Sequence, residues 1–202
     1  MSESVSELVG RCRAGERAAE SALAHRAASQ ALRTASVAMD DLDAARDVSQ
    51  EVAVRVLRGI SGLRAPERFD AWVFRITVSE IRRSYGRTRR RAEVSLDAQG
   101  ENCELAGAAE PDEMLFVSRE LRAALADLSW RERTALALRY VHDLDDDRIA
   151  NSMRCRPGTV RSLLSRARAS LRTHPALVDH APVSPDSTVT RLDPDPAPER
   201  SS

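Results

Sequence analysis

The feature that most constrains the fold of this chain is a pair of short helical patterns in residues 145–168. Three acids beginning at Asp145 open the first pattern, and Pro157 opens the second. Both residue types suit the first turn of a helix, because acids favour its positive end and proline leaves no N–H group unpaired. The second pattern carries an apolar stripe at helical spacing, made of Val160, Leu163, Leu164, Ala167 and Leu171. These patterns predict a helix-turn-helix whose arginine-rich second helix can lie in the major groove of DNA.

The composition favours helices throughout the chain. Hydrophobic residues make up 42% of the sequence, but only 3% of the residues are aromatic. Alanine, leucine and valine must therefore fill the cores, whereas strands usually need more aromatic and β-branched side chains. We predict an all-α protein of 202 residues, long enough for two small helical domains with tails.

Charge is unevenly distributed, although 31 basic and 31 acidic residues cancel. Six arginines and one acid lie between Ser79 and Arg91, and seven arginines with three acids lie between Leu144 and His174. Residues 92–113 hold seven acids and no base. This alternation predicts two basic modules that face nucleic acid, separated by an acidic connector.

The helical patterns divide the chain into four parts. In chain order these are a first helical domain, a flexible acidic linker, a second helical domain and a disordered proline-rich tail, at residues 1–91, 92–111, 112–174 and 175–202. In the first domain we expect a helix from Asp43 to about Arg58, and another that has Asp70 as its N-cap. In the second domain the run from Ser129 has capping-box spacing and starts a helix that ends near Val141.

No pattern for catalysis, for a metal site or for a cofactor is found in the sequence. Four histidines lie without a metal-ligand neighbour at suitable spacing, and three cysteines are far apart. No nucleophile elbow, phosphate-binding loop or dinucleotide fingerprint is present. The isolated cysteines fit a reducing cytoplasm, and no signal or membrane-spanning run is found. We predict a cytoplasmic protein without membrane insertion that is not an enzyme and needs no cofactor or metal.

Two runs of the sequence carry motifs of one family. The first run extends from Leu121 to Arg168 and contains Arg139-Tyr-Val, Ile149-Ala and Pro157-Gly-Thr-Val-Arg. The second run contains Asp47-Val-Ser-Gln-Glu-Val, followed by Phe69-Asp-Ala-Trp-Val-Phe-Arg-Ile. The first resembles region 4, and the second region 2, of the bacterial sigma factors of the sigma-70 type. The runs occur in the family's order with a linker of family size between them. The chain is therefore similar to the small extracytoplasmic-function (ECF) group, in which regions 2 and 4 are helical domains.

The resemblance implies a sigma factor that binds core RNA polymerase, recognises the −35 and −10 promoter elements and nucleates strand opening. Its implied partners are core RNA polymerase, promoter DNA and the anti-sigma protein that family members commonly have. Two alternatives remain open. One is a helix-turn-helix transcriptional regulator that binds DNA without sigma activity. The other is a degenerate interaction protein that binds polymerase or an anti-sigma partner without initiating transcription.

The resemblance assigns polymerase docking to one face of the predicted helix at residues 43–58, in the first domain. The candidate residues are Asp47, Gln50, Glu51 and Arg55. In the family this helix contacts the clamp coiled coil of the largest polymerase subunits. Taken alone, these residues are better explained as a solvated helix face with an intrahelical Glu51–Arg55 pair. The presence of the remaining region 2 motifs favours docking.

The resemblance implies that the helix after Asp70 recognises and melts the −10 element. This task needs a pocket or platform for a flipped base and cations for the backbone. The candidate residues are Trp72, Arg75, Ser79, Arg82, Arg83, Tyr85 and Arg87. Trp72 is more typical of a core residue, so the arginines are the better candidates for contact with DNA.

Recognition of the −35 element is implied for the last helix. The candidate residues are Arg156, Thr159, Arg161, Ser162, Ser165 and Arg166. Arg161 is the first choice for a base edge, because it lies opposite the predicted packing arc.

Four positions depart from the family pattern. Arg154 stands where the turn usually has glycine, and Arg148 stands where a glutamate usually closes a capping box. In the melting helix, Ser79 and Arg83 replace the customary asparagine and aspartate. These changes leave the predicted fold intact and bear on promoter sequence and melting strength.

Overall fold

The computed structural model describes residues 4–96 and 118–178. Every regular element in these two stretches is helical, which confirms the predicted all-α class. The helices are α1 Val5–Arg13, α2 Arg17–Ala38, α3 Leu42–Gly59, α4 Phe69–Leu96, α5 Arg119–Ala126, α6 Trp130–Leu136, α7 Asp146–Met153, α8 Pro157–Thr173 and α9 Pro175–Val178. Two 3₁₀ turns, Ile60–Gly62 and Pro66–Arg68, join α3 to α4, and a π-helical turn, Ala137–Val141, extends α6.

Helices α1–α4 form an N-terminal unit built around the alanine-rich α2. Helix α1 starts at a capping box, in which the Ser4 hydroxyl accepts a hydrogen bond from the Glu7 N–H and the Glu7 carboxylate accepts one from the Ser4 N–H. Helix α2 packs most extensively against α3, and its buried face contains Ala27, Ala31 and Ala35. Small side chains let helix backbones approach closely, so this core forms with few aromatic residues.

The start of α4 differs from the predicted one. The helix begins at Phe69, so Asp70 lies in its first turn and is not its N-cap. The Asp70 carboxylate accepts two hydrogen bonds from Arg26 of α2, at 3.0 and 2.8 Å. An acid in the first turn still complements the positive end of the helix, but this one also ties α4 to α2.

Helix α4 also continues beyond the predicted end of the first domain. Its 28 residues run to Leu96, so residues 92–96 are helical and do not belong to a structureless linker. The remainder of the predicted linker, and the predicted start of the second domain near residue 112, lie outside the described residues.

Helices α5–α9 form a C-terminal unit whose helix starts follow the sequence signals. The Ser129 hydroxyl accepts from the Glu132 N–H and the Glu132 carboxylate accepts from the Ser129 N–H, which is the predicted capping box. Asp145 caps α7 by accepting from the Arg148 N–H at 2.8 Å. Pro157 occupies the first turn of α8. Local capping chemistry therefore decides where these helices begin.

The tail prediction is wrong for its first four residues. Pro175–Val178 form the short helix α9, which packs against α5 and α8. Proline is favoured at the first position of a helix, and contact with two neighbouring helices stabilises this turn. The remainder of the tail lies outside the described residues.

The two units pack against each other in one continuous body. Phe74 and Val78 of α4 are buried in the same apolar cluster as Leu136, Ile149 and Leu164 of the C-terminal unit. A second cluster gathers the core of α1–α4, with Trp130 of α6 packed at its edge. The predicted separation into two domains therefore describes two helical units that share a contact surface.

Candidate nucleic-acid interface

Helix α8 has one buried arc and one free arc. Val160, Leu163, Leu164 and Ala167 are at most 4% exposed and hold the helix against α6 and α7. Around the opposite arc the predicted DNA contacts are exposed, at Arg156, Arg161, Ser162, Ser165 and Arg166, while Thr159 is half-buried. The structure therefore brings the six −35 candidates together on one accessible surface.

Two of these candidates already have partners within the protein. The Arg166 guanidinium donates to the Glu132 carboxylate of α6 at 3.1 Å, and Glu132 is only 14% exposed. The Ser162 hydroxyl donates to the Gly158 carbonyl at 3.0 Å. Arg166 is thus oriented by the same glutamate that closes the capping box of α6, which periodicity alone does not reveal.

The turn between α7 and α8 is made at Arg154, which has a φ of 52° and a ψ of 52°. This is the left-handed region, where residues with a Cβ are strained and glycine is favoured. The family's glycine at this position therefore has a backbone reason, and Arg154 adopts the same turn at a cost. The departure at Arg148 leaves the Asp145 cap in place without a reciprocal side-chain bond from position 148.

On α4 the predicted −10 residues fall into two groups. Arg75, Arg82, Arg83 and Arg87 are exposed, and Ser79 is half-buried among them. Trp72 packs against Phe69 with ring centroids 6.1 Å apart. A Cβ on Gly59 would lie 2.9 Å from the Trp72 ring, so glycine there makes room for the indole. Trp72 is partly a packing residue, and the exposed arginines form the accessible cationic strip.

Tyr85 is separated from that strip by its contacts. Its hydroxyl donates to the Ala38 carbonyl and accepts from Arg133 of α6, both at 2.8 Å. Its ring stacks on Trp130, with centroids 6.0 Å apart and an interplanar angle of 23°. Burial raises the pKa of the Tyr85 hydroxyl to about 12. In this arrangement the ring lies between the two units.

Arg133 joins the two units through a buried guanidinium. Its side chain is 5% exposed and pairs with both carboxylate oxygens of Asp40, at the end of α2, where Asp40 is 57% exposed. The guanidinium also lies 5.9 Å from the centre of the Tyr85 ring. The Arg133 Nε is buried without a hydrogen-bond partner within the described part of the chain. Asp40 is therefore the counter-charge on which this buried arginine depends.

His142 makes the second contact between the units. Its Nε2 lies 2.9 Å from the Thr34 hydroxyl, which itself donates to the Gln30 carbonyl. The imidazole Nε2–H must therefore be the donor. The ring also meets Phe74 edge-on at 4.8 Å. Burial, with the nearby charge of Arg33, lowers the pKa of His142 to about 4, so this histidine is neutral near pH 7.

The predicted polymerase-binding residues form an exposed face on α3. Asp47 and Gln50 are exposed, and Glu51 is half-buried. The Arg55 Nε donates to Glu51 at 2.7 Å, and Arg55 Nη1 donates to Glu80 of α4 at 2.8 Å. The Arg55 guanidinium lowers the pKa of the Glu51 carboxyl. The four candidates are brought together, and Glu80 joins them as a residue that sequence reasoning did not select.

A groove of about 690 Å³ lies along the boundary between the units. Its walls come from α2 and from the C-terminal unit, with Val37, Leu125, Leu171 and the arginines Arg33 and Arg172 among its lining residues. Because both units contribute walls, a molecule held in this groove would favour the packed arrangement over a separated one.

Within residues 4–96 and 118–178 no cluster of histidine, cysteine, aspartate or glutamate could hold a metal ion. Over the same stretches, no helix has the length and apolar character needed to cross a membrane.

Family models match both units. Residues 23–91 match the model described as Sigma-70 region 2, and residues 118–171 match the model described as Sigma-70, region 4. The first match covers most of α2–α4, and the second covers α5–α7 and α8 up to Leu171, with all six predicted −35 residues. Together they include every candidate residue named above.

Curated relatives agree with this assignment. The ECF RNA polymerase sigma-E factor of Escherichia coli (strain K12) is 33% identical over 134 residues, which cover 62% of this chain and 70% of that protein. The ECF RNA polymerase sigma factor SigE of Mycolicibacterium smegmatis is 30% identical over 135 residues, or 64% of this chain. That match spans 51% of the mycolicibacterial protein, about half of its length.

Two solved structures share the fold. CnrH, in complex with the cytosolic domain of CnrY, gives a TM-score of 0.54 at 24% identity, over 87% of this chain and 97% of that chain. The sigma factor RpoE of Bartonella quintana, in complex with the anti-sigma factor NepR, gives 0.58 at 24% identity, over 72% and 89%.

The helices and their exposed cationic surfaces define a two-unit DNA-binding protein, and the matches fix its class. The chain belongs to the sigma-70 family of RNA polymerase sigma factors, within the ECF group. It is a sigma factor, which binds RNA polymerase and directs transcription initiation at promoters. The region 2 match lies within the N-terminal unit, and the region 4 match lies within the C-terminal unit. Sigma factors as a class recognise DNA and leave RNA synthesis to the polymerase.

Proposed function

We propose that this sigma factor docks on core RNA polymerase through α3 and reads the promoter with two cationic helix surfaces. Helix α8 would contact the −35 element, and the strip on α4 would contact the −10 element and nucleate strand opening. The observation that carries this proposal is the pair of exposed arginine-bearing arcs, one in each family-matched region. Asp47, Gln50 and Glu51 would face the polymerase.

Binding at the −35 element follows from the free arc of α8. Phosphate contacts supply affinity that falls with salt, and contacts to base edges supply specificity. Arg161 is exposed opposite the packed arc, so a bidentate contact to guanine is its natural role. The side chains of Thr159 and Ser165 are short enough to let α8 approach the major groove closely.

Binding at the −10 element requires the two units to separate, at least around Tyr85. The Tyr85 ring is stacked on Trp130 and its hydroxyl is bonded to Arg133, so it cannot also stack on a flipped base. We propose that docking on polymerase separates the units and frees this ring. Arg75 and Arg82 are exposed in the packed arrangement and would meet the backbone first.

The chain itself would turn over no substrate, since polymerisation belongs to its partner. We place its action in the cytoplasm, where bacterial RNA polymerase and DNA are found. An anti-sigma protein is a further proposed partner. It is supported by the structural neighbour RpoE, a sigma factor bound to the anti-sigma factor NepR.

Run-off transcription with purified core polymerase over a genomic promoter library tests the proposed function. Specific transcripts are expected from the complete chain, and the triple variant Asp47→Ala/Gln50→Ala/Glu51→Ala should lose both polymerase binding and transcription. Asp43→Ala is the matched control, because Asp43 lies on the same helix and its side chain is 86% exposed.

The outcomes also separate the two alternatives. Operator binding by the chain without polymerase, together with no pull-down of core, would support a helix-turn-helix regulator. Stable core binding without a transcript from any promoter would support a non-initiating interaction protein. Either result contradicts the proposed function.

A further inference from the structure

The two predicted binding surfaces of region 2 are joined by a buried carboxylate. Glu80 of α4 is 3% exposed, although a glutamate is rarely buried unless it is paired. Its Oε1 accepts from Arg55 Nη1 of α3 at 2.8 Å and from Arg83 Nη1 of its own helix at 3.2 Å. One acid thus serves two arginines that come from different surfaces.

These groups form a chain of alternating charge. Glu51 pairs with Arg55, Arg55 pairs with Glu80, and Glu80 pairs with Arg83. The two ends are accessible, since the side chains of Glu51 and Arg83 are 45% and 51% exposed, whereas Glu80 within the chain is buried. The net charge of the four groups is zero, so the buried carboxylate is fully compensated.

We propose that Glu80 is a positioning residue, which holds Arg55 for polymerase docking and Arg83 for contact with the promoter. This inference rests on the proposed function of α3 and α4. A guanidinium carries five N–H donors, and Arg83 gives one of them to Glu80, which leaves donors for a phosphate. An arginine held by a buried partner loses less conformational freedom when it binds.

The test is a double-mutant cycle on the full chain with core polymerase. Glu80→Gln keeps the shape and removes the charge, and it is expected to weaken core affinity about tenfold. In the Arg55→Ala background, Glu80→Gln should cause no further loss, because the arginine that it positions is gone. Glu67→Gln is the matched control, since Glu67 is an exposed acid of the same unit and belongs to neither binding surface. The control is expected to bind core like the wild type.

The same cycle is run with Arg83→Ala, using binding of the holoenzyme to a −10 promoter fragment at several salt concentrations. Glu80→Gln should reduce promoter affinity in the wild-type background and leave it unchanged in the Arg83→Ala background. If Glu80→Gln does not fold, Glu80→Asp takes its place in both cycles. Its shorter carboxylate keeps the charge and should cause a smaller loss of the same kind.

The results distinguish failure of the inference from failure of the proposed function. Equal losses from Glu80→Gln with and without the arginine show a general effect on folding and overturn the positioning role. Wild-type affinity in Glu80→Gln overturns it as well. Wild-type core affinity in Arg55→Ala, together with lost affinity in the Asp47→Ala/Gln50→Ala/Glu51→Ala variant, overturns the inference and leaves docking through α3 intact. Wild-type affinity in both variants overturns docking through α3 itself.

Discussion

Helices α4 and α8 both carry arginines of a proposed promoter surface, but α4 is packed on more sides than α8. Helix α8 buries one arc, at Val160, Leu163 and Leu164, and leaves the opposite arc accessible. Helix α4 packs against α2 and α3 within its own unit and also against α7. It therefore buries Phe74 and Val78 in the cluster of the C-terminal unit.

This difference explains why one surface is complete and the other is divided. The candidates on α8 share a single arc, so their periodicity is enough to group them. On α4, Tyr85 lies in the boundary between the units. Arg83 stays in the exposed strip with Arg75, Arg82 and Arg87, but it also pairs with the buried Glu80. A helix packed on two sides has less freedom to present its side chains to a ligand.

The largest expected effect comes from Asp40→Ala, which tests the ion pair that joins the N-terminal unit, just after α2, to Arg133 of α6. The substitution leaves Arg133, which is 5% exposed, without its counter-charge. We expect a loss of about 2–3 kcal/mol in the free energy of unfolding, below the usual cost because Asp40 is partly solvated. Urea denaturation measures the loss, and energy transfer between dyes on the two units reports their separation.

Asp43→Ala is the control for this measurement. Its carboxylate is 86% exposed and pairs with Arg46 on the surface of α3, so a change of about 0.5 kcal/mol or less is expected. Equal stabilities for the two variants would mean that the Arg133–Asp40 pair does not hold the units together.

Arg161→Ala tests the free arc of α8. Loss of a bidentate base contact should weaken binding to a −35 duplex by about 1–3 kcal/mol and relax specificity at one base pair. The free energy of unfolding should not change, because Arg161 is exposed. Fluorescence anisotropy of the holoenzyme on matched and mutated duplexes measures the affinity and the specificity, and urea denaturation measures the free energy of unfolding.

Arg119→Ala, on the exposed surface of α5, removes the same charge outside the predicted interface. It should weaken all duplexes slightly and equally. A similar uniform loss with Arg161→Ala would refute base recognition by Arg161 and leave it as a phosphate contact.

A moderate loss in the free energy of unfolding is expected as the pH falls, because His142 becomes protonated. Its folded pKa of about 4 lies below the ordinary histidine pKa of 6.5, so the unfolded chain takes up the proton first. The contribution of neutral His142 is complete above pH 6.5 and is lost as the pH falls toward 4. His142→Asn retains a donor for Thr34 without titrating, so its stability should fall less over this window. Urea denaturation of both proteins from pH 7 to pH 4 measures the difference, and parallel curves would contradict burial of His142 between the units.

The smallest effect is expected from Arg154→Gly in the turn before α8. The backbone is left-handed there, with a φ of 52°, and relief of this strain should raise the free energy of unfolding by about 1 kcal/mol. Arg148→Gly is a control with the opposite expected sign. It places glycine within α7 and should lower the free energy of unfolding by up to about 1 kcal/mol. Thermal denaturation compares the two, and a loss of stability in Arg154→Gly would contradict the strain.

Local sequence signals predicted much of the fold. The capping box at Ser129 and the buried stripe of α8 are found as expected, and the acids from Asp145 lie at the start of α7. The start of α4 was misplaced, because Asp70 pairs with Arg26, 44 residues away. The end of α4 was also misplaced, and the sequence offers no glycine or proline near residue 91 that would stop the helix.

The candidate site was predictable to a different degree on each surface. Sequence periodicity grouped the residues of α8 and of α3, because those residues share one face of one helix. It missed Glu80, whose partner Arg55 is on α3, and it missed the contact between Arg133 and Tyr85, which are 48 residues apart. The available sequence signal was a single glutamate in an arginine-rich run, since a glutamate that becomes buried needs a cation as its partner.

The order of amino acids by itself determined where most helices begin, which arc of α8 is apolar and which family motifs the chain carries. These properties depend on residues within a turn or two of each other, and neighbouring side chains and N–H groups are enough to specify them. Only the tertiary structure decided which side chains of α4 are accessible, which arginines are paired and how the two units meet. Those outcomes require groups from distant parts of the chain to be buried together, and no local pattern records that choice.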